Sequence, residues 1–537
     1  MTSPLALLSS LVLAIVAHGL LVLWKARRSI DNHPGNFLVF GFGNLLAEFV
    51  LPAIPFVSPG NNYLWEAKHA RELGLSVGAE WGADRGIANN SLREVRLGYI
   101  LQYATGIKEI VSSRSRFAKP VELYEIGNIY GNNILTAEGD EWKRYKKIVS
   151  PAFSERNNRL VWEETIKVMS QLFSEVWEDQ DRVTVDNCLR DLTFPIALLV
   201  IGAAAFGRKI AWKDEYTCPP GHVMTFKHVL ELSPYIIAVR AIFPRFIRKL
   251  VPALRKMDIA YDELKLYMKE LIRAQYERDD GIERHDLLSL LVEHSDLDKA
   301  NSLTEDEVMG NTFLFLAAGH ETTAQTLCFA FALLALHPEE QEVVYQEIKS
   351  AIPDATSPSY NAIPSLVRTM AVYNETLRMF SAIPIIPKVA TEDTVLTAGN
   401  AAGETKKIPV PKGTRVTFDV PGIHYSPRYW EDPLDFKPAR FLDPNWPREA
   451  FIPFSVGHRS CIGRRFFEVE AIATMVMLLS RYKITIKEEE EFKGETWEER
   501  KARILACTLG DTLTTRRAGV DVVYFRAKRV PLTFVKR

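Results

Sequence analysis

Cysteine is scarce in this chain. Cys188, Cys218, Cys328, Cys461 and Cys507 are scattered over 537 positions, odd in number and never in C-x-x-C spacing. That excludes a disulfide framework and a cysteine-built zinc site, and it points to reduced thiols. Net charge is missing as well: 66 Lys and Arg face 67 Asp and Glu, so no basic field marks a nucleic-acid binder. A nucleotide loop is also lacking. Gly41-x-Gly43 is followed by Leu46 where a dinucleotide fingerprint needs a third glycine, and no βαβ pattern surrounds it. His320-Glu321 lacks the second histidine of an H-E-x-x-H zinc helix, because position 324 is Ala. No internal repeat is visible, and no linker divides residues 60–537.

What is present begins with an apolar run from Leu5 to Trp24, broken only by Ser9, Ser10, His18 and Gly19. About twenty such residues cross a bilayer. Lys25, Arg27 and Arg28 follow it and no charge precedes it. This polarity is the reverse of a cleavable signal and places the C-terminal side in the cytosol. The expectation is an uncleaved, single-pass anchor over residues 5–24, then a hinge over residues 25–59. Within that hinge the apolar stretch Phe37 to Val57 carries Asn44, Glu48, Pro52 and Pro55, which suit a membrane-dipping segment better than a second crossing.

From about residue 60 onward, apolar spacings of three and four predominate, over Tyr63–Leu73, Asp140–Lys147, Asn158–Glu178, Asp258–Arg278 and Thr304–Leu336. Strand-like pieces are fewer: Gly98–Tyr103, Lys388–Leu396, Arg415–Asp419 and Val520–Phe525. Pro219-Pro220-Gly221 marks a loop, and Glu488 to Glu491 forms a solvated acidic run. The pattern is that of one large domain over residues 60–537, mainly α with a small β-rich part.

Chemistry concentrates at Cys461. It stands between a glycine-punctuated turn and a run, Arg464 to Ser480, that has helical character, with Arg459, Arg464 and Arg465 nearby. Backbone N–H groups at a helix start, together with cations, favour thiolate over thiol. Phe454, Gly457, Arg459, Cys461 and Gly463 resemble the haem-binding loop F-x-x-G-x-R-x-C-x-G of the cytochrome P450 monooxygenases. The resemblance implies a b-type haem (iron protoporphyrin IX) with Cys461 as its axial thiolate, which pushes electron density to the iron.

Three further stretches carry the same resemblance. Ala318-Gly319-His320-Glu321-Thr322-Thr323 is similar to the family's oxygen-activation motif. By that likeness Thr322 would hydrogen-bond dioxygen or an ordered water, Glu321 would relay protons, and Ala318 and Gly319 would leave room above the haem. Glu375-x-x-Arg378 and Pro438-x-Arg440-Phe441 resemble elements that imply a buried Glu375–Arg378–Arg440 network bracing the pocket. Trp142-Lys143-Arg144-Tyr145-Lys146 resembles a W-x-x-x-R helix, with Lys in place of the final Arg. That implies Trp142 and Lys146 at one haem propionate, with Arg144 as a substitute donor and Arg459 on the other propionate side.

The substrate pocket is mostly apolar by family position, over Val121–Leu135, Val229–Ile242 and Ser381–Ile386. Ile236, Ile237, Phe313, Phe315, Ile383, Ile385 and Ile386 recur there, which suits a hydrophobic substrate such as a terpenoid, fatty acid, aromatic or xenobiotic. With no flavin or nicotinamide loop, electrons are expected from a separate NADPH-cytochrome P450 reductase on the same membrane, with cytochrome b5 as a further donor. The endoplasmic reticulum, with a cytosolic catalytic domain, is the expected location. The sequons at Asn89 and Asn374 then stay unglycosylated. The resemblance implies a monooxygenase inserting one atom of O2. A haem-thiolate isomerase or dehydratase, which the intact Glu321-Thr322 pair argues against, is the first alternative. A non-catalytic haem carrier or gas sensor and a Cys-nucleophile hydrolase using His458 are the others.

Overall fold

The computed structural model describes residues 83–91, 94–101, 103–113, 115–207, 212, 218–277, 286–294, 302–354, 356–399, 405–508 and 530–537, with isolated positions before them. The anchor over residues 5–24, most of the Phe37–Val57 stretch, the helix at Tyr63–Leu73 and the strand at Val520–Phe525 lie outside the described residues. The strands in chain order are β1 Phe37–Leu38, β2 Ala83–Ser91, β3 Glu94–Leu101, β4 Phe117–Ala118, β5 Arg182–Val185, β6 Ile385–Ala390, β7 Thr394–Gly399, β8 Thr405–Val410, β9 Arg415–Asp419, β10 Tyr482–Ile486 and β11 Leu532–Lys536. Helices, taken the same way, are α1 Ala104–Ser112, α2 Gly139–Val149, α3 Glu155–Gln171, α4 Phe194–Phe206, α5 Phe226–Glu231, α6 Ser233–Ile242, α7 Arg245–Leu250, α8 Pro252–Tyr276, α9 Leu287–Glu293, α10 Glu305–Leu336, α11 Pro338–Ala351, α12 Val367–Met379, α13 Val420–His424, α14 Arg464–Arg481 and α15 Trp497–Thr508.

These fall into two compact units. The first comprises Met1–Pro120, Ile383–Pro433 and Pro447–His458. Its main sheet runs β1-β2-β3-β9-β6-β4. β3 and β9 pair in parallel, with Tyr99 opposite Val416 and Leu101 opposite Phe418, while β6 returns antiparallel against β9. The single strand expected over Lys388–Leu396 is two. Thr391-Glu392-Asp393 forms a bend, in which Asp393 accepts the backbone N–H of Lys412 at 2.7 Å. That side-chain bond gives the backbone a turn to follow instead of a ladder.

The second unit comprises Val121–Ala382, Leu434–Trp446 and Arg459–Arg537, and it is helical apart from the sheet β10-β11-β5. Its spine is α10. Thr304 caps it, accepting from Glu307 N–H at 3.3 Å, while the Glu307 carboxylate accepts from Thr304 N–H at 2.8 Å. This capping box satisfies two of the helix's orphan donors. α10 packs against α4, which no amphipathic period announced because nearly every one of its residues is buried. Pro195 starts α4, and Gly207 ends it in the left-handed conformation, φ +59°. Among the described residues, only the segment Leu189–Phe206 is long and apolar enough to cross a membrane, and it is mostly buried as core. The acidic run is not wholly solvated. Glu489 turns inward to Arg503 at 3.6 Å.

Candidate functional site

Cys461 lies two residues before the Gly463 N-cap of α14. The backbone N–H groups of Gly463 and Arg464 donate to its sulfur, as a helix start allows. A Cβ on Gly463 would stand 3.9 Å from Sγ. By surface area the residue is exposed, yet protein crowds the sulfur enough to strip hydration from it. Burial pushes this thiol above its ordinary range, and the two N–H groups and the Arg464 charge offset that only in part. The cations expected to hold a thiolate are engaged elsewhere: Arg464 and Arg465 donate to Glu468 at 2.8 and 3.2 Å. In the protein alone, a bound cation is what would draw the sulfur to its anionic form.

Arg459 turns to the loop ahead of α2. Its guanidinium donates to Ile134 O at 3.1 Å, to Ala137 O and to the Glu138 carboxylate. Its Cζ lies 4.2 Å from the Trp142 ring centroid, and Lys146 Nζ lies 5.0 Å from the same centroid, both within cation–π range. So Trp142, Lys146 and Arg459 do come together. Burial pushes the Tyr124 phenol up to about 12, and the Arg459 charge opposes that. Arg144 is not a substitute in this group. It donates to Ser302 O at 2.6 Å and pairs with Glu307, which also accepts from Tyr145 at 2.6 Å. Arg144 thus fastens α2 to the first turn of α10. Tyr124 and Glu138 were missed because nothing in their spacing marks them.

On α10 beyond the first turn, burial is interrupted at one place only. Leu314, Ala317, Gly319 and Thr322 are part-exposed and Ala318 is exposed, while their neighbours on the helix are buried. The Thr322 hydroxyl donates to Ala318 O at 2.9 Å, and Thr326 donates to Thr322 O at 2.8 Å. Such back-bonds loosen a helix locally. A Cβ on Gly319 would stand 1.9 Å from Cδ1 of Ile201 on α4, so its bare Cα admits a neighbouring helix. Glu321 is buried beside the open window. Ile236, Phe313 and Phe315 are buried core, Phe313 lying 4.7 Å from Tyr130 by ring centroids. Leu135 presents an exposed side chain instead.

The carboxylate–guanidinium network forms as expected. Arg378 Nε and Nη2 grip Glu375 at 2.7 and 2.8 Å, and Arg440 Nε reaches the same carboxylate at 3.1 Å. Lys437 N–H adds a fourth bond at 2.9 Å. Glu375 and Arg378 have no exposure at all. Asn374 sits half-buried in α12. Phe454 and Gly457 belong to the first unit, where Gly457 has φ +76° and a Cβ would meet Val111 at 3.1 Å.

Chemically, one thiol without other ligands cannot cage a bare metal ion. No cluster of three or more His, Cys, Asp or Glu suited to a metal exists among the described residues. A single sulfur does suit a metal that arrives with its own equatorial ligands, as haem iron does. The cations flanking Trp142 suit an anionic group, and the open, largely apolar window on α10 suits a flat hydrophobic body. The residues present therefore fit haem.

Comparison with known proteins agrees. The sequence model of the family described as Cytochrome P450 matches residues 99–502. A cytochrome P450 monooxygenase of Postia placenta is 45% identical over 493 residues, covering 91% of this chain and 93% of that protein. Another, from Arthrobotrys oligospora, is 28% identical over 448 residues, covering 73% and 74%. The cyclooctat-9-en-7-ol 5-monooxygenase of Streptomyces melanosporofaciens is 27% identical over 408 residues, covering 74% and 83%. On a match of this extent the chain belongs to the cytochrome P450 family, the haem-thiolate monooxygenases.

Proposed function

We propose that Cys461 would supply the thiolate that holds the haem iron, that Thr322 and Glu321 would handle protons in the α10 window, and that the substrate is a hydrophobic small molecule oxidised with electrons from an NADPH-dependent reductase. The observation that carries this reading is the pairing of an exposed thiol at the start of α14 with the one open window on α10, two helices that pack against each other. When bound, the haem supplies the activation of O2 and the transfer of one oxygen atom to substrate.

The chain's own residues do the rest. N–H groups of Gly463 and Arg464 orient the sulfur and temper its charge. Arg459 and Lys146, both over Trp142, offer charge to the haem carboxylates. At rest Thr322 spends its proton on Ala318 O, leaving its lone pairs free to accept from water in the window. To donate there it must release that carbonyl, so one hydroxyl rotation switches it from acceptor to donor. Buried Glu321, the preceding residue on α10, is the carboxyl that would replenish the proton. Leu314, Ala317 and Ala318 give a hydrophobic ligand an apolar wall.

A relative named for oxidising cyclooctat-9-en-7-ol supports a hydrophobic substrate class. The Leu5–Trp24 run with its basic flank supports a membrane anchor and a catalytic domain facing the cytosol. A sequence without a flavin or nicotinamide loop supports a separate electron donor. The deciding experiment on the ligand is Cys461→Ser. Thiolate-type absorption of the ferrous carbonyl complex should vanish, and its retention would show that another residue binds the iron. For the substrate, terpenoids, fatty acids and aromatics are screened for spin-state shifts. Binding confined to polar compounds would refute the hydrophobic class.

A further inference from the structure

Asn311 is fully buried in the interior of α10, where asparagine competes poorly for helix and needs a reason to be. Its amide has two bonds: Nδ2 donates to Glu307 O at 2.8 Å, and Oδ1 accepts from Ile134 N–H at 3.0 Å. Ile134 in turn offers its own carbonyl to Arg459 Nη1 at 3.1 Å. Arg459 stands two residues before Cys461. The backbone of one residue therefore bridges the helix that carries Thr322 and the segment that carries the thiol.

The loop around this bridge is held tightly against α10. A Cβ on Gly310 would stand 2.4 Å from Gly131 O, and one on Gly131, at φ +132°, would stand 1.9 Å from Asp306 O. Loop and helix thus meet backbone to backbone, which only glycine permits. Tyr130 stacks on Tyr261 of α8 with centroids 4.5 Å apart. Asn133 closes the turn by accepting from Leu135 N–H at 3.1 Å and Thr136 N–H at 3.2 Å. Ala137 O and Glu138 then take the other end of Arg459. A segment fastened at this many points transmits displacement rather than absorbing it.

We propose that Asn311 is a positioning residue that couples α10 to Arg459 through the backbone of Ile134, so that a change at the α10 window alters how Arg459 is held two residues before Cys461. The inference rests on Cys461 being the haem ligand, and its test separates the two. Loss of the thiolate-type carbonyl band reports failure of the ligand reading. Haem release and potential report the coupling.

The test uses full-length holoprotein carrying Asn311→Leu or Asn311→Asp. Haem transfer to apomyoglobin and the ferric/ferrous midpoint potential are measured with and without imidazole as a distal ligand. Leucine keeps the volume and removes the acceptor. It should leave the carbonyl band in place, speed haem release about five-fold, the worth of one buried hydrogen bond, and lower the potential, because a less firmly held cation favours the reduced iron less. Imidazole should then shift the release rate of Asn311→Leu less than that of the wild type. Aspartate, which burial favours in its neutral form, can accept from Ile134 and donate to Glu307 O, and it should behave as the wild type does. Unchanged release and potential in Asn311→Leu overturn the proposal, and so do equal shifts in both variants, which would make packing the cause. Should Asn311→Leu take up no haem, Asn311→Asp decides alone: a wild-type rate supports the coupling and a faster one overturns it.

Discussion

The Thr322 hydroxyl sits in the α10 window with its proton on Ala318 O, so its removal should change where protons go rather than whether the protein folds. Thr322→Ala is expected to keep consuming reductant while product formed per reducing equivalent falls by about a hundred-fold or more, the lower end of the range for a positioned proton donor, with peroxide making up the difference. Equal coupling in the variant and the wild type would remove Thr322 from the chemistry. Arg378 poses the opposite case. It has no exposure and shares Glu375 with Arg440 and Lys437 N–H. Arg378→Leu leaves a buried carboxylate short of its fork and should cost about 3–5 kcal/mol, seen as lost yield of folded holoprotein. Arg378→Lys keeps the charge but not the two-pronged geometry, and should recover only part of that yield. Full recovery would mean that charge, not shape, is what the network needs. Both residues were legible in the sequence because short fixed spacings carry them. Arg144 was not. Its partner Glu307 lies 163 positions away, and no local pattern distinguishes an arginine aimed at a helix cap from one aimed at a haem carboxylate.

At the level of elements, α4 and α10 meet where Gly319 faces Ile201. Gly319→Ala brings a Cβ to 1.9 Å from Ile201 Cδ1, and overpacking of this kind costs about 1–3 kcal/mol, against up to about 1 kcal/mol regained from helix propensity. Ile201→Val shortens the intruding side chain. Alone it should destabilise by about 1 kcal/mol; in the Gly319→Ala background it should cost less or become stabilising. Thermal unfolding of the four proteins gives the coupling. Strict additivity would show that the two side chains do not share the space. This contact explains why the helix glycine was legible as special while its purpose was not: a missing Cβ says that something approaches, and only the fold says what. α4 itself escaped the periodicity argument because burial on all sides leaves no polar face to set a period. β9 and α10 were legible to within a residue, one from the alternation of Val416 and Phe418 with polar residues and the other from apolar spacings of three and four that start at Thr304. The bend at Thr391–Asp393 was hidden because a polar turn of three residues resembles the polar positions of an edge strand.

Over the whole molecule, 66 basic and 67 acidic side chains nearly cancel. Its response to pH near neutrality therefore rests on individual carboxyls rather than on self-repulsion. Two in the helical unit act in opposite senses. For Glu307 burial pushes the carboxyl up, but hydrogen bonds from Tyr145, Arg144 and Thr304 N–H prevail and hold it below its ordinary value. Its stabilisation is present above the unfolded value of about 4.3 and is lost as pH falls through the lower folded value. Glu470 on α14 is fully buried, neither oxygen has a hydrogen-bond partner, and burial alone pushes it well above the ordinary range. The folded state must keep it protonated, so stability falls as pH rises above about 4.3, until the folded value is reached. Melting temperatures of Glu307→Gln and Glu470→Met between pH 4 and pH 7 should accordingly diverge from the wild type in opposite directions. Glu307→Gln loses most at pH 7 and little near pH 4. Glu470→Met, which replaces an unsatisfied acid with an apolar chain of similar length, should gain about 1–3 kcal/mol at pH 7 and less at pH 4. A loss of stability in Glu470→Met at pH 7 would mean that this carboxyl holds a buried partner of its own, and that the acid limb of the profile belongs to other groups.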